Sequence, residues 1–99
     1  MATSSDLTTS TAQDIHISCP RELVETIIAE FKQQFTEDPN VEIYDWGWSE
    51  RFQLGYIVLS WQGRVPSKFE QQLNADPRLE GHTVYDLPAR LAVPLAVIV

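Results

Sequence analysis

The stretch that most constrains the fold is VEIYDWGWSERFQLGYIVLSWQG, residues 41–63. Its two halves, 41–48 and 52–62, are rich in Tyr, Trp, Ile, Val and Phe. The short polar segment Ser49-Glu50-Arg51 joins them, so the pair reads as a β-hairpin. A hairpin in mid-chain restricts what can stand on either side of it.

Upstream, QDIHIS alternates. Ile15 and Ile17 point one way, His16 and Ser18 the other, as in a half-buried strand. Cys-Pro-Arg-Glu-Leu follows, with Pro20 at a first helical position, Glu22 in the first turn, and Ser18 or Cys19 as the cap. Leu23, Val24, Ile27, Ile28, Phe31 and Phe35 then recur at three- and four-residue spacing and make one apolar helical stripe. Glu22, Glu25 and Glu30 form an acidic edge away from it. Pro39 ends this segment, because proline cannot continue a helix. Downstream, Ser67 and Glu70 read as a capping box for a second, shorter helix that turns Phe69 and Leu73 inward. HTVYDL, from His82, reads as the last main strand.

The order is strand, helix, strand, strand, helix, strand. It predicts an α+β, ferredoxin-like split βαβ (βαββαβ) fold, a four-stranded antiparallel sheet with two helices on one face. The expected organisation is a disordered Ser/Thr-rich N-terminal arm at 1–12, the folded domain at 13–87, and an apolar tail at 88–99. The tail, ending LAVPLAVIV, is expected to form an extra C-terminal strand or to pair with a neighbour, since such a run left exposed invites aggregation.

Composition narrows the function classes. With 99 residues, 43% of them hydrophobic, the chain has enough for a single core. One cysteine, Cys19, excludes an intramolecular disulfide and fits a reducing compartment. No apolar run reaches the roughly 18 residues of a membrane span, and no secretory leader is legible. A cytoplasmic location is the expectation. The formal net charge of −7 repels phosphate backbones and anionic membrane surfaces, so neither nucleic acid nor membrane is an expected partner.

No catalytic or cofactor motif stands out. His16, His82 and Cys19 lack the spacing of a metal site. Asp45, Glu50 and Asp86 are an acid–base set only by composition. Glycine-rich phosphate loops and nucleophile elbows are missing from the sequence. No cofactor is expected.

The aromatic residues carry the remaining signal. Strict alternation from Val41 and Ile43, taken as buried, sends Tyr44, Trp46 and Trp48 to the open sheet face and leaves Gly47 beneath the helices. The opposite register buries the aromatics instead. Strand 52–62 is apolar on both sides, so its open side should also be covered. The expected function is a small non-catalytic protein–protein interaction or assembly domain, self-associating or binding another protein. The expected contacts are Tyr44, Trp46, Trp48, Arg51 and Tyr56, with Trp61 if the register is reversed. The alternative is a dimeric α+β barrel that binds or oxidises a small molecule in a pocket of His16, Trp46, Trp48 and Trp61, an analogy at the level of the fold.

Overall fold

The structure is a computed structural model and describes residues 12–87. The expected arm, apart from Ala12, and the expected tail strand lie outside the described residues. Strand β1 (Ala12–Pro20) leads through a 3-10 turn (Arg21–Leu23) into helix α1 (Val24–Gln34). Strands β2 (Val41–Ser49) and β3 (Leu54–Gln62) form the hairpin. Helix α2 (Ser67–Ala75) and strand β4 (Gly81–Leu87) follow.

The sheet has four strands in the order β2-β3-β1-β4, every neighbouring pair antiparallel. This is the ferredoxin-like α+β fold, with β3 and β1 central and β2 and β4 at the edges. Both helices cover one face. That face receives Ile15, Ile17 and Cys19 of β1 and Ile57, Leu59 and Trp61 of β3, all buried. Helix α1 lays Val24, Ile27, Ile28 and Phe31 on them, and α2 adds Phe69 and Leu73. At one end of the core Trp61 and Phe69 lie 5.0 Å apart, and Phe35 stands edge-on to Trp61 at 5.4 Å. Such pairs add about 0.5–1.5 kcal/mol each beyond area burial.

Two positions tie distant segments together. Gln13 is buried on the helix side, where its amide donates to Asp86 Oδ1 at 2.6 Å and its carbonyl accepts the Val65 N–H at 2.6 Å. It thereby links β1, β4 and the loop before α2. Gly55 lies where the start of α1 reaches the sheet. A Cβ there would overlap Val24 Cγ2 and stand 3.3 Å from the Cys19 carbonyl oxygen.

Both helix starts differ from the sequence expectation. Pro20 ends β1, and the Arg21 N–H donates to the Gln53 carbonyl at 3.1 Å. Neither Ser18 nor Cys19 caps α1, because the strand holds Ser18 on the open face and Cys19 in the core. Ser67 is already the first residue of α2, behind Pro66, whose carbonyl accepts the N–H groups of Phe69 and Glu70. Glu70 makes no capping box and turns to His82 instead, 3.2 Å from Nε2. Helix α1 also stops at Gln34, well before Pro39.

The largest correction concerns β2. Val41 and Ile43 pair with Trp61 and Leu59 and face the helices, as expected. The register then shifts between Ile43 and Asp45, so that Asp45 pairs with Val58, Trp46 with Ile57 and Trp48 with Gly55. Tyr44 is the extra residue of a β-bulge. Trp46 and Trp48 therefore lie on the same side as Val41 and Ile43. Asp45 and Gly47 lie on the open side, where Gly47 leaves room for the Tyr56 ring.

Candidate interaction surface

The sequence-derived contact residues fall into three groups. Trp61 is 4% exposed and belongs to the core; with it goes the expectation that Trp61 joins a contact face. Trp48 is half-buried against the core. Tyr44, Trp46, Arg51 and Tyr56 are exposed, with Tyr44 at 68%, Trp46 at 40% and Tyr56 at 42%. They share no sheet face: Trp46 lies on the helix side, Tyr56 on the open side, and Tyr44 projects from the bulge. They share the hairpin: Tyr44 and Trp46 on the edge strand, Arg51 in the turn and Tyr56 on β3.

Around Trp48 the geometry is well defined. The Arg21 guanidinium stacks over its ring at 4.6 Å, and Trp46 flanks it at 6.1 Å. Glu50 accepts from Arg21 Nη2 at 2.9 Å and from Trp48 Nε1 at 3.0 Å through the same carboxylate oxygen, Oε2. The Arg21 hydrogen bond, then that from Trp48, holds the Glu50 carboxyl below the usual carboxylate range. The exposed side of this cluster therefore has a fixed shape, although it sits on an edge strand. The turn carries Gln53 at a φ of 52°, stitched by its side-chain amide to the Glu50 carbonyl at 2.9 Å.

Three contributors escaped the sequence reading. Phe52 is 68% exposed at the turn under the Arg51 guanidinium, because β3 begins at Leu54 rather than at the expected residue 52. Leu54 is exposed beside it at the start of β3. Arg21 carries no expected contact role; its place depends on Trp48, 27 positions on, and no local pattern signals it.

The remaining candidates do not converge. His16 faces the open side with its ring 4.7 Å from Tyr85, and Trp46, Trp48 and Trp61 are on the helix side. A pocket of His16 and the tryptophans is thus not formed within the chain. Asp86 stands in the row of Gln13, Trp61 and Val41, at the opposite end of the sheet from Glu50. His82 pairs with Ile17 on the helix side, while burial pushes the Cys19 thiol up. Among the described residues no three His, Cys, Asp or Glu side chains are grouped to hold a metal ion. No described helix is long and apolar enough to cross a membrane.

No protein-family profile matches the sequence, and no curated protein matches it. The solution structure of the C-terminal domain of the MgtC protein from Mycobacterium tuberculosis is similar to this chain, with a TM-score of 0.52 at 17% sequence identity. The likeness covers 85% of this chain and 95% of that one, and at such identity it speaks for the fold alone.

Proposed function

We propose that the domain is a non-catalytic protein–protein interaction module whose contact surface is the β2–β3 hairpin. One observation carries this reading. Of six exposed large hydrophobic side chains among the described residues, five fall within residues 44–56: Tyr44, Trp46, Phe52, Leu54 and Tyr56. Aromatic anchors with Arg51 among them are the usual composition of a binding hot spot. Self-association through this edge is the simplest version, and a different protein is the other. An assembly or regulatory role follows from either.

Sedimentation equilibrium at micromolar concentration, run beside chemical denaturation, tests it. Replacing Tyr44 and Trp46 together by Ala should abolish association while leaving stability within about 1 kcal/mol of the parent, as for exposed positions. A strictly monomeric protein that loses several kcal/mol on this change would make these side chains core and remove the proposal.

A further inference from the structure

A groove adjoins the hairpin edge. Between α1 and β2 lies a cleft of about 270 Å³ lined by Phe31, Lys32, Phe35, Val41, Glu42 and Ile43. Its floor is apolar and large enough for one aliphatic side chain. It runs beneath the regular half of β2, before the bulge at Tyr44. Beyond the bulge the edge changes character. Tyr44 is exposed at the bulge, flanked along the strand by Glu42 and Asp45, which both lie on the open side, while Trp46 is exposed on the helix side. The Asp45 carboxylate accepts the Trp46 N–H at 2.8 Å, and neither carboxylate enters an ion pair among the described residues.

An edge strand offers main-chain groups for strand addition, and a cleft beside it takes alternate side chains of the added strand. We propose that β2 binds an extended basic segment of another protein, one that places an aliphatic residue in the α1–β2 cleft and, on the open side, Arg or Lys beside Tyr44, Glu42 and Asp45. This rests on the interaction reading above and names the partner's chemistry. Two features of the hairpin itself support a cationic occupant. Guanidinium groups already stack on its aromatic rings twice, Arg21 over Trp48 at 4.6 Å and Arg51 over Phe52 at 5.1 Å. The whole chain carries a net charge of −7, which steers a basic segment in and an acidic one away. The cleft itself is neutral in this respect, with Lys32 and Glu42 both at its wall. Two-fold pairing of β2 with a second copy about the Ile43–Tyr44 midpoint would set Glu42 of one copy opposite Asp45 of the other, a repulsion that a basic segment avoids.

The test is fluorescence anisotropy with the full chain and a labelled synthetic peptide that alternates Lys or Arg with Val. The expected result is binding that weakens as salt rises. Glu42→Lys with Asp45→Lys should weaken it about tenfold or more, a loss of at least one decade in Kd. Asp14→Lys with Glu80→Lys, an equal change in net charge elsewhere, should leave it near the parent value. A peptide with Ser for Val should bind poorly, since nothing then fills the cleft. Equal loss in both charge-reversed pairs, or equal binding of a peptide with Glu in place of Lys and Arg, overturns the proposal. So does failure of the basic peptide to bind. If that failure comes with concentration-dependent mass that Trp46→Ala abolishes, the edge belongs to a second copy and the interaction reading survives. If it comes with a monomer, both fall.

Discussion

At the residue scale, the three tryptophans have three different roles. Trp61 anchors the aromatic end of the core, Trp48 is clamped between the core and Arg21, and Trp46 is the most exposed of the three, at 40%. Trp61→Ala should therefore cost about 3–5 kcal/mol in urea unfolding, as buried aromatics do. Trp46→Ala should cost under about 1 kcal/mol, and it should remove the tryptophan emission most open to iodide quenching. Gly55→Ala belongs at the same scale. The added methyl overlaps Val24 at the point where α1 meets the sheet, and overpacking there should cost about 1–3 kcal/mol or more. A variant as stable as the parent would mean that α1 can shift without loss. Much at this scale was readable in advance. Ile15, Ile17, Val24, Ile27, Phe31, Phe69 and Leu73 all point inward as their spacing requires. Gln13 was not readable. Its partners lie 52 and 73 positions away, and a polar residue that opens a strand reads as exposed until both are in place.

At the element scale, the decisive feature is the bulge. Alternation counts residues, and one extra residue changes the face of everything after it. The sequence contains Tyr44 but nothing local that marks it as the extra one. Removing Tyr44 should therefore leave Trp46 and Trp48 on their present side and only straighten the strand. Tryptophan quenching of the deleted chain should match the parent. If β2 alternated regularly instead, the deletion would swing both rings to the other face and change quenching sharply. The ion pairs act between elements as well. Arg78, in the loop after α2, donates to both carboxylate oxygens of Glu30 on α1, at 3.0 and 2.8 Å, and to Asp76 at 2.8 Å. These hydrogen bonds hold the Glu30 and Asp76 carboxyls below the usual carboxylate range. Groups depressed in this way favour the folded state at neutral pH, and the benefit is lost as pH falls through their folded values. Arg78→Ala should flatten the acid side of a stability–pH curve and leave the basic side unchanged. The helix starts were misread for a related reason: Pro20 and Ser67 fit their motifs, and strand pairing and Pro66 took the positions the motifs needed.

At the scale of the whole molecule, topology was the most legible property. The order of periodic segments sufficed, because short connections between antiparallel strands and two crossover helices leave few arrangements. What the order could not convey is that the aromatic residues gather at an edge. That depends on β2 being outermost, on the bulge, and on α1 covering the edge strand incompletely. The same arrangement places the α1–β2 cleft beside Tyr44 and Trp46, so that apolar and acidic-aromatic halves follow one another along a single strand. The proposed meeting place with another protein is this hairpin edge. Amide chemical-shift mapping by NMR, with the basic peptide added to the full chain, tests it most directly. Shifts should concentrate in residues 41–56 and on Phe31, Lys32 and Phe35, which line the cleft from α1 and its C-terminal end. Shifts centred on Asp14, His16 and Tyr85, with the hairpin unmoved, would contradict it.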